Sequence, residues 1–465
     1  MAVVNVLPTS AVSGTTVVKF SFLSWLESQE QDRADKYAMY RNYYEGEQAT
    51  QLTARLRKFL ELGNKAPEFN LNVCPIVVDE LADKLTVSGF DCGTDKALSE
   101  AVKQWWEASR MDATQGVVHR GAVRDGDTYL MVEWNDEAGR PVFTQENAFN
   151  GTEGVHLVYS NERRTNPLVA IKTWTITSGP ETATKRTNLY YPDRIEKYSD
   201  YGSGGRWQEY RDEADPRWPI PWLDKDRKPL GVPVIHWRNK DLGYSYGLSE
   251  EDDVIPMQNA TNKTVIDLLA AADSTAFGIP YMTGGKPTLD GFNAGSWVYS
   301  ENPDAKLGIL SPADLTGLIA LHDAFIADVA KITRTPLSAF QVTGAVAAEG
   351  TLKEQRAGLN AKIGDRQVGM GNSWEDALYL AVRLHNTFGN GGLNADQHIS
   401  TVWKDPEAPS AAELAEQVNA ANTAGAMSIE TKVRTLHPEW EQKAIDAEVA
   451  LIRAEQMVPD VGPLP

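Results

Sequence analysis

Apolar side chains recur at helical spacing in the N-terminal part of the chain. The pattern predicts a helical region over residues 21–62, which Gly46 interrupts and which resumes at about Gln51. A further helix is expected after Pro75, and Gly89 turns the chain at its end. The apolar positions that carry this prediction are Phe22, Leu26, Tyr37, Tyr40, Tyr44, Ile76, Val77, Leu81 and Leu85.

Between Thr128 and Trp207 the apolar period falls to two. Segments such as TYLMVEW, HLVYS and VAIKTWTIT alternate apolar with polar residues and are bounded by Gly, Pro or Asn, as half-buried strands are. The expected structure is a mostly antiparallel sheet. Five prolines between 216 and 233 exclude a helix from the next stretch and favour an extended connection that closes the sheet domain.

Two long helices with a small insert between them are predicted next. Ser249 is expected to cap the first helix, whose positive N-terminal end suits the acidic run EEDD. Residues 277–310 are rich in turns and lean towards β-structure. The second helix opens at Ser311-Pro312 and ends at Thr335-Pro336. The apolar stripes of the two helices are Met257, Thr261, Val265, Leu268 and Ala272, then Leu315, Leu318, Ile319, Phe325, Ile326, Val329 and Ile332.

The segment TPLSAFQVTGAVAAEG, from Thr335 to Gly350, carries no charge before Glu349. A capping box formed by Thr351 and Glu354 predicts that a helix follows it to about His385. Glycines inside this helix are expected to bend or break it. They are Gly358, Gly364, Gly369 and Gly371.

The last third of the chain is predicted to be helical. Ser410 and Glu413 form another capping box, and Pro438 opens a final helix. No repeat of a fixed length is present.

Composition indicates a folded protein of two or three structural units. The chain has 465 residues, 42% of them hydrophobic and 23% charged, with 13 Trp and 16 Tyr. The net charge of −19 disfavours unspecific adhesion to nucleic acid or anionic lipid. Neither a signal peptide nor a membrane span is expected. Cys74 and Cys92 lack metal-ligand spacing and are interpreted as small buried hydrophobes in a reducing compartment.

The sequence contains no convincing catalytic, cofactor or metal motif. GGKPT does not match a phosphate-binding loop, GMGNSW and GNGGLN lack a third glycine, and no histidines pair as HxxxH or HxH. The run Glu250–Asp253 has two interpretations, a divalent-cation site or charge pairing with a helix N-terminus. Asp125 and Asp127 likewise fit either the carboxylate pair of a hydrolase or a turn that starts a strand.

The order of these elements, together with five segments, resembles a portal protein of tailed bacteriophages, of the type common in phages of actinobacteria. No single segment is as specific as a zinc motif, and the resemblance lies in their conjunction in this order. The segments are YYEGEQ, NVCPIVVDELADKLTVSGF, YGLSEEDDVIPMQNATNKTVIDLLAA, KITRTPLSAFQVTG with AEGTLKEQRAGLNAKI, and VWKDPEAPSAAELAEQVNAANTAGAMSIETKVRTL.

The resemblance implies an α+β fold, mostly helical, with a β-containing wing, a two-helix stem, a small α/β clip and a helical crown. Laid on this chain, the parts are an N-terminal arm at 1–20, the wing at 21–248, stem helices at 249–275 and 311–335 around the clip at 276–310, a tunnel loop at 336–350, a bent helix returning to the wing at 351–405, and the crown and tail at 406–465.

The resemblance also implies residue roles. A DNA-proximal tunnel loop would contain Gln341, Val342, Thr343, Gly344, Ala345, Val346, Ala347, Ala348 and Glu349. Lys353 and Arg356 are possible DNA contacts, with Lys362 and Arg366 open as further ones. Residues of the clip that would dock partner proteins are Lys286, Asp290, Trp297 and Tyr299.

The function implied is that of a non-enzymatic ring at one capsid vertex, assembled in the host cytoplasm. Such a ring, usually of twelve subunits, conducts double-stranded DNA during packaging and ejection and retains it in between. Its partners would be the large terminase subunit, the head-tail connector or adaptor, and the major capsid and scaffold proteins, with no cofactor and no membrane. Two alternatives stay open: a carboxylate-dependent hydrolase that uses Asp125 and Asp127, and another oligomeric structural protein of the virion.

Overall fold

The structure is a computed structural model and divides into two compact units, residues 1–404 and 405–465. It combines helices with antiparallel sheets, so the α+β class is confirmed. The residues that it describes are 31–48, 58, 70–159, 167–201, 207–212, 215–276, 280–285, 288–289, 298–300, 302–309, 315–340, 349–407, 411–437, 440 and 442–456.

Helices and strands occur in blocks along the chain. The helices are α1 (Gln31–Glu45), α2 (Cys74–Ala82), α3 (Lys96–Ala108), α4 (Met111–Asp125), α5 (Ile255–Ala276), α6 (Thr316–Thr333), α7 (Glu349–Phe388), α8 (Ala411–Thr423), α9 (Ile429–Leu436) and α10 (Gln442–Gln456). The strands are β1 (Val87–Asp91), β2 (Asp127–Asn135), β3 (Arg140–Asn147), β4 (Gly154–Tyr159), β5 (Pro167–Thr175), β6 (Lys185–Tyr190), β7 (Arg194–Ser199), β8 (Gln208–Glu209), β9 (Ile220–Pro221), β10 (Val234–Arg238), β11 (Pro280–Thr283), β12 (Thr288–Leu289), β13 (Val298–Tyr299), β14 (Lys306–Ile309) and β15 (Ser400–Trp403).

The predicted helix breaks near the N-terminus are partly confirmed. Helix α1 ends where Gly46 adopts a φ of 77°, a conformation that glycine takes without steric cost. The helix expected from Gln51 lies outside the described residues, except for Lys58. Helix α2 carries Pro75 in its first turn, where a missing backbone donor is harmless.

Strand β2 is the centre of the first unit. It pairs antiparallel with β10 on one side and β3 on the other. Leu130 and Val132 enter a core shared with α3, α4 and α7, while Tyr129 and Met131 enter a second core with α1 and β4. Because successive side chains of a strand point to opposite faces, β2 has both faces covered.

The predicted antiparallel sheet is confirmed over β4 to β9. Its strand order is β4-β5-β6-β7-β8, and β9 also pairs with β7. The proline-rich stretch that follows contains no helix, as expected. It does more than connect, however, because it ends in β10, which is part of the central sheet.

The arrangement of helix, small insert and helix is also confirmed. Helices α5 and α6 contact each other, and between them β11 pairs with β14 and β12 with β13. The predicted start of the first helix at Ser249 is wrong. Helix α5 begins at Ile255, and Pro256 in its first turn suits that start.

Helix α7 differs from its prediction in two ways. It begins at Glu349, so Thr351 lies inside the helix and the capping box is wrong. It also runs through all four glycines without a break, so of the expected bend or break the break is wrong. Gly371 instead permits close packing, since a Cβ there would lie 3.3 Å from Nε1 of Trp403.

Strand β15 corrects the prediction that the last third is entirely helical. It pairs antiparallel with β1 and brings the chain back to the N-terminal half. The second unit is helical where it is described, with α9 and α10 packed around Val433, Ile445 and Val449. Ser410 and Pro438, expected to open helices, lie outside the described residues.

Candidate functional site

The uncharged segment is described only at its two ends. Gln341 to Ala348 lie outside the described residues, and Glu349 is the first residue of α7. On the other side, α6 ends with Arg334 at a φ of 58°, and a short 3-10 turn follows at Leu337–Ala339. The two flanking helices approach each other, because a Cβ on Gly358 would lie 3.5 Å from Cβ of Arg334.

The basic residues of α7 fall into different environments. Lys353 lies in the first turns of the helix, and Arg356 is exposed to solvent. Lys362 and Arg366, by contrast, are only 6% and 8% exposed. Arg356 is therefore accessible to a ligand, whereas Lys362 and Arg366 are largely covered by protein.

The residues expected at the clip are only partly described. Tyr299 lies in β13, where it pairs with Thr288 of β12. Lys286, Asp290 and Trp297 lie outside the described residues. Their role in docking stays a prediction.

A cluster of buried charges lies beside the end of α6, and we call it the charged junction. It consists of Asn239, Lys240, Glu250, Lys362 and Arg366. Glu250 accepts from Nζ of Lys362 at 2.7 Å and from Nη2 of Arg366 at 3.2 Å. Nζ of Lys240 lies 3.5 Å away, and the Asn239 amide donates to the same carboxylate at 3.2 Å.

Backbone hydrogen bonds hold Glu250 in this position. Its amide donates to the carbonyl of Val123 in the last turn of α4 at 3.0 Å. The Ser249 hydroxyl, expected to cap a helix, instead donates to the carbonyl of Arg124 and accepts from the amide of Glu251. The loop before α5 is thus attached to the turn between α4 and β2.

Two glycines make this attachment possible. Gly126 has a φ of 88°, and a Cβ there would lie 2.8 Å from the carbonyl oxygen of Gly247. A Cβ on Gly247 would lie 2.1 Å from the carbonyl oxygen of Gly126. Since real Cβ atoms do not approach so closely, any side chain at either position would separate the two segments.

Electrostatics within the charged junction favour an ionised carboxylate. Burial alone would raise the pKa of Glu250, but Lys362, Lys240 and Arg366 outweigh it and hold that pKa below its ordinary value. Burial lowers the pKa of Lys362, against the attraction of Glu250. Removal of one partner would leave the others charged and uncompensated in a buried site.

Lys362 also bonds the end of helix α6. Its Nζ donates to the carbonyl oxygen of Thr333, the last residue of that helix, at 2.8 Å. The last carbonyls of a helix have no partner within the helix and carry its negative end, so an ammonium group is favoured there. Lys362 thereby connects α7, the end of α6 and the loop before α5.

An open cavity of about 600 Å³ adjoins the charged junction. The side chains of Lys362, Arg366 and Glu250 form part of its wall, and Arg334 and Ile332 contribute from the end of α6. The cavity lining contains equal numbers of basic and acidic residues, four of each. They are Lys240, Arg334, Lys362 and Arg366, against Asp241, Glu250, Asp253 and Asp365.

Sequence reasoning missed the structural role of Lys362 and Arg366 but contained a signal for it. Leu359, Ile363 and Met370 form an apolar stripe along α7, and all three are buried. Lys362 and Arg366 follow Leu359 at helical spacing, so they lie on or next to this stripe. A charge placed on a buried helix face indicates a buried partner.

The two aspartates considered for hydrolysis are structural. Asp127, fully buried, accepts from Tyr37, Arg33, the amide of Gly247 and Nε2 of His236. Burial would raise the pKa of Asp127, but these donors, chiefly His236, hold it below its ordinary value. Asp125 accepts from Arg41 and Arg124.

This confirms the interpretation that the segment containing Asp125 and Asp127 is a turn before a strand. Gly126 ends α4, and Asp127 is the first residue of β2. Both carboxylates are engaged by neighbouring groups, and neither is exposed.

The acidic run precedes helix α5, with none of its residues in the first turn of that helix. Glu250 belongs to the charged junction, while the carboxyl of Glu251 is fully buried and has no hydrogen-bond partner in the part of the chain that the structure describes. Burial, with the neighbouring charge of Asp125, raises the pKa of Glu251 to about 9, so that it is protonated near neutral pH. Within the described residues no group of three or more His, Cys, Asp or Glu side chains is placed to hold a metal ion.

Other expectations can be compared with the described part of the chain. Cys74 and Cys92 are both buried and free, which confirms their interpretation as small hydrophobes. No helix in the described ranges is long and apolar enough to cross a membrane.

Comparison with known proteins identifies the family. The chain is 23% identical over 359 residues to the portal protein of Mycobacterium phage D29 and, to the same extent, to that of Mycobacterium phage L5; each match covers 73% of this chain and 70% of the relative. Portal proteins are structural, non-enzymatic proteins of the phage virion that form oligomeric rings with capsid partners. Since the family model described as phage portal protein, SPP1 Gp6-like, matches residues 23–457, the chain belongs to this family.

Proposed function

We propose that this chain forms a closed ring, of twelve subunits, that conducts double-stranded DNA through one capsid vertex. The ring would serve genome packaging, retention and ejection. It would bind the large terminase subunit during packaging and the head-tail connector afterwards, and would contact the major capsid and scaffold proteins.

The arrangement of α5, the small β insert and α6 is the observation that carries this proposal. We assign the two helices to the stem, the insert to the clip, residues 21–248 to the wing and 406–465 to the crown. Helix α6 exposes three large apolar side chains in the single chain, those of Ile319, Leu321 and Ile332. A neighbouring subunit would cover such a surface in a ring.

Residues 336–350 would be the tunnel loop, with Gln341 to Glu349 nearest to DNA. The side chains before Glu349 are uncharged and offer few groups that bind phosphate, and Glu349 itself is acidic. Together with the net charge of −19, this composition lets DNA slide with little adhesion. Lys353 and Arg356 would contact DNA at the start of α7, and Lys286, Asp290, Trp297 and Tyr299 would contribute to docking at the clip.

The first test is particle mass and shape, by light scattering and negative-stain microscopy of the purified protein. We expect a closed ring with a central hole. A small compact monomer under assembly conditions would contradict the proposal.

The second test removes Val342 to Ala348. We expect rings of normal mass, with DNA packaging or retention impaired in phage that carry the deletion. Loss of all ring assembly would show instead that the segment is needed to build the ring.

A further inference from the structure

The charged junction connects the two helices that flank the proposed tunnel loop. Nζ of Lys362 lies 2.8 Å from the carbonyl oxygen of Thr333 and 2.7 Å from Oε2 of Glu250. We infer that Lys362 is a positioning residue, which fixes the end of α6 against α7 and against the loop before α5. This inference rests on the proposed function, because it makes Lys362 responsible for how the tunnel loop meets DNA.

The location of Thr333 explains why a contact with this one residue can fix the end of α6. Thr333 is the last residue of α6, and the helix is closed there by Arg334 in the left-handed conformation. The Thr333 hydroxyl donates back to the carbonyl of Val329 at 2.7 Å, so the last turn is itself ordered. A bond to its final carbonyl therefore holds the helix end as a whole.

Glu250 also connects Lys362 to the end of helix α4. Its side chain is 1% exposed and its backbone amide is bonded to the carbonyl of Val123 in α4. One carboxylate thus connects Lys362 and Arg366 of α7 to the turn between α4 and β2. The positions of α4, α6 and α7 are coupled through it.

The energetics of such clusters favour a positioning role over a stabilising one. Buried ion pairs contribute little net stability compared with apolar residues of the same volume, because desolvation offsets their attraction. What they do impose is a specific geometry, since the uncompensated charge of any other arrangement is costly.

The experiment compares Lys362→Met with the matched control Lys331→Met, both in the full-length assembled ring. Lys331 is also close to the end of α6, but it is exposed and its side chain has no hydrogen bond or ion pair among the described residues. Hydrogen exchange measured by mass spectrometry reports local opening of each helix. A third variant, Lys362→Arg, keeps the positive charge beside Glu250.

In Lys362→Met we expect amides in the last turn of α6 and the first half of α7 to exchange about tenfold faster. The hairpin of β2 and β3 should exchange as in the unaltered ring. Lys331→Met should change nothing, and Lys362→Arg should restore most of the protection. Unchanged exchange in Lys362→Met, or an equal increase throughout the first unit, would overturn the inference.

Phage carrying the same variants provide the functional measurement. Lys362→Met should form rings of normal mass but package or retain about tenfold less DNA, whereas Lys331→Met should be normal. Local opening with normal packaging and retention would overturn the positioning role. If the unaltered protein forms no ring, the proposed function fails, while the exchange data still decide whether Lys362 holds the two helices.

Discussion

At the scale of single residues, the adjacent Glu250 and Glu251 show how strongly environment determines the behaviour of one side-chain type. Both are buried, with exposed fractions of 1% and 0%. Three cations surround Glu250 and keep it ionised, whereas the carboxyl of Glu251 has no hydrogen-bond partner among the described residues and a pKa of about 9. The same substitution at the two positions therefore has opposite expected effects.

Replacing Glu251 by Gln should raise stability increasingly as the pH rises. The folded-state pKa of Glu251, about 9, exceeds its ordinary value of 4.5, so the folded protein retains a proton that the unfolded chain releases. The free energy of unfolding of the unaltered protein therefore decreases as the pH rises from about 4.5 to about 9. Thermal melting should show little difference at about pH 5 and a gain of roughly 4 kcal/mol for the variant at about pH 8, because each pH unit between the two pKa values costs the unaltered protein about 1.4 kcal/mol.

Glu250→Gln is the matched control for that measurement. It leaves Lys362, Arg366 and Lys240 without a carboxylate, so we expect a loss of about 3–5 kcal/mol near neutral pH. A gain in stability in Glu250→Gln, or a pH-independent effect in Glu251→Gln, would contradict this account of the two sites.

At the scale of the element, α7 shows that glycines within one helix have different roles. A Cβ on Gly364 would meet no atom within 4 Å, whereas one on Gly371 would lie 3.3 Å from the indole nitrogen of Trp403 and 3.6 Å from Cβ of Thr401. The sequence treats the two glycines alike, as helix breakers. The helix is nevertheless continuous, because its buried face is packed against the central sheet and β15.

Gly364→Ala should therefore stabilise the protein by about 0.5–1 kcal/mol, because alanine restricts the unfolded chain and fits without contact. Gly371→Val should destabilise it by about 1–3 kcal/mol through collision with β15. Chemical denaturation of both variants, followed by circular dichroism, measures the two changes. Equal effects of the two substitutions would mean that packing against Trp403 does not determine the role of Gly371.

At the scale of the whole molecule, the exposed apolar side chains of α6 matter most for assembly. Ile319 is 49% exposed, although it lies on a helix whose C-terminal half is packed into a core with α2 through Ile326 and Val329. Burial of such a side chain by a neighbouring subunit would contribute roughly 1.5–3 kcal/mol per copy. Many copies of one contact make a closed ring sensitive to a single substitution.

Ile319→Glu should accordingly reduce ring formation while leaving the fold of the subunit unchanged. Val117→Glu is the control, because Val117 is 50% exposed on α4, in the proposed wing. Size-exclusion chromatography with light scattering should show smaller species for the first variant and normal rings for the second. Normal rings from Ile319→Glu would place the subunit contact elsewhere.

The sequence by itself determined the order of elements, the antiparallel sheet, the pair of helices around a small insert, and the resemblance to portal proteins. These features depend on local periodicity and on the positions of glycine and proline. Both can be read from residues that are neighbours in the sequence. The continuity of α7 and the strand β15 were decided by packing between distant segments. The charged junction was decided in the same way, because Arg366 and Glu250 meet across 116 residues of chain. Whether a charge is buried beside a partner, as at Lys362, depends on which segments meet, and only the tertiary structure brings them together.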